Sequence, residues 1–156
     1  MAKPDAGGDR VVTTNRRAFH DYFIDETVEA GLVLTGTEIK SVRAGKVTLT
    51  EGFARVRAGE AWLENVYVAP YEQGARENPD PRRARKLLLR RGQIADLGAK
   101  TQQKGLTLVP LKVYLKQGRA KIELGLARGK HTYDKRHALA EREAKRDIER
   151  AIHARD

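Results

Sequence analysis

The chain has 156 residues, an apolar fraction of 40%, a net charge of +10 and no cysteine. These values suit one domain with a single core plus an appendage, and they exclude disulfides, cysteine-ligated zinc and thiol catalysis. The basic excess points to a polyanionic partner, because Lys and Arg displace counterions from phosphates.

Met1 to Thr14 reads as a flexible N-terminal arm. Its first residues lack the apolar stretch of a secretory signal. No run approaches the roughly 20 apolar residues that span a bilayer, so the expectation is a cytoplasmic chain without a membrane partner. The folded body starts at Asn15 and Arg16. Phe19 to Glu26 and Leu32 to Leu34 are predicted strands, and Asp25-Glu26 is expected to decorate a turn. Thr37 to Ala44 is a predicted short helix ended by Gly45.

A hairpin follows, Phe53–Arg57 and Glu60–Val68 around Ala58-Gly59. Period two puts Trp62, Glu64, Val66 and Val68 on one face, with Trp62 expected in the core. Gln73 to Arg83 is a predicted loop, and Gln93 to Lys104 a helix with Ile94 and Leu97 inward. The second hairpin has the clearest pattern. Thr107, Val109, Leu111, Val113 and Leu115 share one face, and Ala120, Ile122, Leu124 and Leu126 share another, around Gln117-Gly118. Pro110 lacks a ladder donor, so its strand is an edge or bulged. Five or six short strands with two helices imply a small barrel of the OB type, over residues 15–129.

Gly129 closes the last strand and opens a charged basic tail, residues 130–156. Its helical stripe is Ala140, Ala144, Ile148, Ala151 and Ile152; three of the five are Ala, so it buries little. The expectation is a tail disordered alone and helical on a partner.

Catalytic chemistry finds little support. Gly125 to Lys130 is one residue short of a phosphate-binding loop, and His131 replaces the magnesium-holding Ser or Thr. The four His residues have no zinc spacing, so no metal site is expected. Ser41 is the only serine and has no nucleophile elbow. No cofactor and no enzymatic activity are expected.

Basic patches carry more. Between Arg76 and Arg91 seven basic residues, among them Arg85 and Lys86, oppose two acidic ones. Arg binds phosphate bidentately and stacks on bases. Leu87 to Leu89 interrupts this run, and one of the three must point outward from a strand. Lys112, Tyr114 and Lys116 are predicted on one outward face, with Lys121 on the neighbouring strand. Positive charge around an aromatic suits RNA phosphates and stacked bases. Lys40, Arg43 and Lys46 form a third group beside the first predicted helix.

Seven blocks together resemble the SsrA-binding protein (small protein B) family. They are Asn15 to His20 with Tyr22 to Ile24, Glu29 to Gly31, Gly36 to Arg43, Gly59-Glu60 with Trp62-Leu63, Arg85 to Leu89, Gly105 to Pro110, and Gly129-Lys130 through Asp134 to Arg136. The resemblance implies an OB-fold barrel that binds the tRNA-like domain of transfer-messenger RNA, with a tail that enters the mRNA channel of a stalled ribosome. It implies RNA contacts at Asn15, Glu29, Leu88 and Lys121. It also implies that Gly129, Lys130, Asp134, Lys135 and Arg136 lie near the decoding centre; Tyr133 and His137 beside them offer planes for stacking. Where the family carries Gly-Lys-Lys, this chain has Gly129, Lys130 and His131, so one positive charge becomes titratable. The expected state is a monomer bound to transfer-messenger RNA and the ribosome. A ribosomal or initiation-factor-like OB-fold protein remains the alternative on composition and fold.

Overall fold

The computed structural model describes residues 9–74, 78–103, 105–130, 146 and 148. Among the described residues nine strands and three α-helices run in the order β1 (Arg10–Thr14), α1 (Arg16–Asp21), β2 (Tyr22–Leu32), α2 (Gly36–Arg43), β3 (Val47–Thr48), β4 (Phe53–Arg57), β5 (Glu60–Glu64), β6 (Tyr67–Val68), β7 (Arg85–Leu88), α3 (Arg91–Thr101), β8 (Leu106–Lys116) and β9 (Arg119–Gly129).

Antiparallel pairings run β8–β4–β5–β7–β2–β9, and β9 pairs back onto β8. The ring is therefore a closed barrel of OB type, which leaves no edge within the ring. The second predicted hairpin is present in register, from Leu106↔Arg128 to Lys116↔Arg119. Its turn, Gln117-Gly118, holds both residues at positive φ (52° and 76°), the twist that suits a two-residue hairpin.

The barrel interior is filled by Leu63, Leu87, Leu108, Val113, Ile122 and Leu124, each at most 1% exposed, with Val42 of α2 and Leu97 of α3 in the same cluster. Ala120, Ile122, Leu124 and Leu126 all face inward as expected. The opposing strand does not keep one face. Register shifts between Pro110 and Lys112, so Leu111 is an extra residue at a bulge. A one-residue slip exchanges faces. Val109 and Leu111 therefore pack with Ala18 and Ala127 in a second small cluster beside α1, while Val113 remains in the barrel.

Four further expectations change. Residues 10–14 are not a loose arm: β1 pairs with β8, Val11 against Tyr114. Residues 16–21 are helical because Asn15 caps them, its Oδ1 accepting from Ala18 N at 3.3 Å. The strand read from Phe19 therefore begins at Tyr22. Trp62 lies outward and half-buried with the Arg57 guanidinium 5.4 Å from its ring, because Asn65 at φ 58° ends β5 and resets the alternation. Asp25 and Glu26 lie in β2 at its own register shift, paired to Arg128 and Lys100.

Candidate nucleic-acid interface

Cross-strand register builds one row over the outside of the barrel. Leu88 of β7 opposes Gly31 of β2, which opposes Lys121 of β9, which opposes Tyr114 of β8, which opposes Val11 of β1. Paired residues share a face, and the inward neighbours Leu87, Ala30, Ile122 and Val113 place this face outside. Gly31 leaves room here: an added Cβ would come within 3.1 Å of the Leu88 Cβ, so Leu88 would have to shift. Leu88 can thus lie across β2 while 57% exposed. Beside it opens a groove of about 320 Å³ lined by Gly31, Leu34, Ile39, Leu88, Arg119 and Lys121. Lys121 is half-buried and has no hydrogen bond or ion pair with another described residue. An apolar floor beside an unneutralised cation suits a base or ribose next to a phosphate.

Glu29 lies two residues along β2, on the same face, opposite Glu123. It accepts a hydrogen bond from the Tyr114 hydroxyl and lies 3.8 Å from Lys116. Lys112 is 3.7 Å from Glu123 and 5.4 Å from the Tyr114 ring. Lys86, exposed on β7, pairs with Glu60 at 3.2 Å. Exposed Lys40 stacks over Tyr71 at 5.1 Å, and Arg43 and Arg16 are exposed. Surface pairs of this kind are worth about 0–1 kcal/mol, so phosphates compete for these cations readily.

Three of the expected contact residues have no free surface. Arg85 is 0% exposed. Its Nε donates to Glu38 Oε2 at 2.7 Å, and its terminal nitrogens donate to the carbonyls of Val66 and Pro81. This corrects its reading as an RNA contact, because β7 alternation puts Arg85 inward with Leu87. Asn15 is 5% exposed; beyond its cap, Nδ2 donates to Pro110 O at 2.9 Å. Tyr114 is 7% exposed, so its ring has no face for stacking. The strand alternation of Lys112, Tyr114 and Lys116 holds, but Tyr114 is covered by its neighbours.

The Glu38–Arg83–Arg85 cluster was absent from the sequence reading. Glu38 is 3% exposed and also receives Arg83 Nε at 3.1 Å and Thr35 N at 3.0 Å. Burial alone would push its carboxyl up; the hydrogen bonds from Arg83, Thr35 and Arg85 outweigh this and hold it below its ordinary value.

At the barrel's exit, Gly129 ends β9 opposite Tyr22. Lys130 Nζ donates to Phe19 O at 3.2 Å and lies 5.2 Å from the Phe23 ring. The remaining tail candidates, Tyr133, Asp134, Lys135, Arg136 and His137, lie outside the described residues. So does most of the predicted tail helix, although Ile148 is 61% exposed. Among the described residues no group of His, Asp and Glu is placed to hold a metal, and no helix is long and apolar enough to cross a membrane.

The model of the family described as SmpB protein matches residues 12–154. The chain belongs to the SmpB family. It is similar to the SsrA-binding protein of Bacillus cytotoxicus, 60% identical over 149 residues, covering 96% of each chain. The SsrA-binding protein of Thermobifida fusca is 58% identical over 154 residues, covering 98% of this chain and 96% of its own. A solved structure described as "tmRNA-SmpB: a journey to the center of the bacterial ribosome" is 60% identical, with a TM-score of 0.66 over 76% of this chain and 83% of its own. Membership in the SmpB family accords with the barrel and with the basic outer face.

Proposed function

We propose that this protein binds the tRNA-like domain of transfer-messenger RNA and delivers that RNA to stalled ribosomes for trans-translation. The observation that carries the reading is 58–60% identity to SsrA-binding proteins over nearly the full chain, SsrA being transfer-messenger RNA. A solved relative paired with tmRNA at the ribosome supports it. The protein acts by binding, in the cytoplasm and as a monomer, and needs no cofactor. Sequencing the RNA that co-purifies with it tests the reading. Enrichment of transfer-messenger RNA is expected, whereas bulk ribosomal RNA alone would favour a general OB-fold RNA binder. A nuclease assay with added divalent metal should show no cleavage.

The residues divide by exposure. Leu88, Lys121 and Glu29 form the centre of the RNA face, with Lys112, Lys86, Lys40, Arg43 and Arg16 around it. Asn15, Arg85 and Tyr114 act through the scaffold. The barrel engages the tRNA-like domain. The tail beyond it, from Gly129 and Lys130 through Tyr133, Asp134, Lys135, Arg136 and His137, serves the decoding centre and mRNA channel.

Two substitutions test the face. Lys121→Ala should weaken binding and flatten the plot of log K against log salt by roughly 0.7 to 0.9 for one lost phosphate contact. An unchanged slope and affinity would remove Lys121 from the interface. Leu88→Ala removes an exposed side chain and should change stability by about 0.5 kcal/mol or less. It should lower RNA affinity about tenfold, the equivalent of roughly 1.5 kcal/mol of lost apolar contact. A large fall in melting temperature with affinity retained would mean that Leu88 serves packing alone.

A further inference from the structure

We propose that Tyr114 is a positioning residue for RNA recognition: its hydroxyl fixes one Glu29 oxygen so that the other faces outward to accept from an RNA amino or 2′-hydroxyl group. This rests on the reading that the outer barrel face binds RNA. The geometry rules out the alternative use of Tyr114, since a residue 7% exposed offers no ring face to a base. Its hydroxyl donates to Glu29 Oε2, and Lys112 lies over its ring at 5.4 Å. The Glu29 side chain is 42% exposed, and its Oε1 takes no hydrogen bond from any described residue. Burial, then the bond to Glu29, pushes the Tyr114 phenol well above its ordinary pKa, so it stays a donor at working pH.

The surroundings show why the carboxylate needs holding. Glu29 is directly opposite Glu123, and like charges across a ladder are destabilising. Lys116 and Lys112, 3.8 and 3.7 Å from the respective carboxylates, offset part of that repulsion. A carboxylate on a phosphate-binding face also repels its ligand unless it accepts a hydrogen bond from it. Glu29 thus faces a like charge across the ladder and carries the wrong sign for a phosphate ligand, a local cost of the kind found at recognition sites. An exposed Glu has several rotamers. Fixing one before binding lowers the ordering cost of the complex. The pinned carboxylate selects a donor at one place, and the cations around it supply affinity without that selectivity.

The test is titration of the isolated tRNA-like domain with Y114F, E29Q and the double variant, at several salt concentrations. Y114F keeps the ring and loses only the hydroxyl. It should weaken binding about 3- to 10-fold, the loss expected from one unfixed side chain, with no change in salt slope. E29Q should weaken binding at least as much, and the double variant should bind no worse than E29Q. Melting curves accompany each variant. E29D retains the charge but withdraws it from the Tyr114 hydroxyl, so it should also bind weakly while folding normally. Wild-type affinity in Y114F or E29D, with E29Q weak, overturns the positioning role and leaves the RNA face standing. Additive losses in the double variant overturn it as well. If E29Q and K121A both bind like wild type, the RNA face is misplaced and the inference falls with it.

Discussion

Arg85→Ala should lower stability by about 3–5 kcal/mol, the usual cost of removing one partner from a buried ion pair. The guanidinium is fully buried, and its loss leaves Glu38 short of a charged partner and the Val66 carbonyl short of a donor, while the Pro81 carbonyl keeps its bond from Val68 N. Arg83 still reaches Glu38, but from a side chain 30% exposed. Against a typical total of 5–15 kcal/mol, this is a large fraction, and the melting temperature should fall by roughly 10 °C or more. The double variant R85M E38Q should lose less than the two single losses combined, because neither charge is then stranded. The pH dependence has a definite sign. The Glu38 carboxyl is held below its unfolded value, so its contribution is complete above the ordinary Glu value of 4.5. It disappears as pH falls through the folded value, and acid unfolding of wild type should therefore steepen below that point. Urea melts across pH 3–7 measure both effects. An R85A protein with unchanged melting but weakened RNA binding would restore Arg85 to the interface and refute the structural assignment.

How much was legible in the sequence follows from which signals are local. The β8–β9 hairpin was readable because period-two alternation and a Gln117-Gly118 turn agree, and both depend on neighbours in the chain. Pro110 announced an irregularity, but not which residue would be extra. The bulge at Leu111 therefore moved Val109 and Leu111 to the α1 side against a simple count. Helix α1 has six residues and exposes Phe19, so its aromatic content merged with the strand that follows. The cap at Asn15 was the overlooked signal. For the site, strand alternation required that one of Leu87 to Leu89 point outward, and the family resemblance singled out Leu88, which is the exposed one. The same alternation implied that Arg85 points inward, yet the density of Arg around it favoured a charged surface. Glu38 could not have been paired with it, because 47 residues separate them and only barrel closure brings them together.

Removing residues 133–156 should abolish peptide tagging on stalled ribosomes while leaving the barrel's melting temperature and its binding to transfer-messenger RNA nearly unchanged. The reasoning is energetic. Ordering some twenty residues costs about 1–2 kcal/mol each in backbone entropy, and an isolated helix of that length is marginal. The apolar stripe Ala140, Ala144, Ile148, Ala151 and Ile152 is mostly alanine, and Ile148 is 61% exposed. The pairs Glu141–Lys145 and Glu149–His153 add only a few tenths of a kcal/mol each. A helix there needs an external source of free energy. Lys135, Arg136, Arg142, Lys145, Arg146 and Arg150 supply it if they meet ribosomal RNA phosphates, since each contact releases counterions. Two consequences separate this from a tail that merely tethers. Tagging should fall steeply with added salt, more steeply than binding of the tRNA-like domain alone. Ala144→Pro, which keeps every charge but costs a helix ~3 kcal/mol or more, should impair tagging and spare binding to free transfer-messenger RNA. A chain carrying Ala144→Pro that tags stalled peptides at the wild-type rate would show that charge alone suffices and that helix formation on the ribosome plays no part.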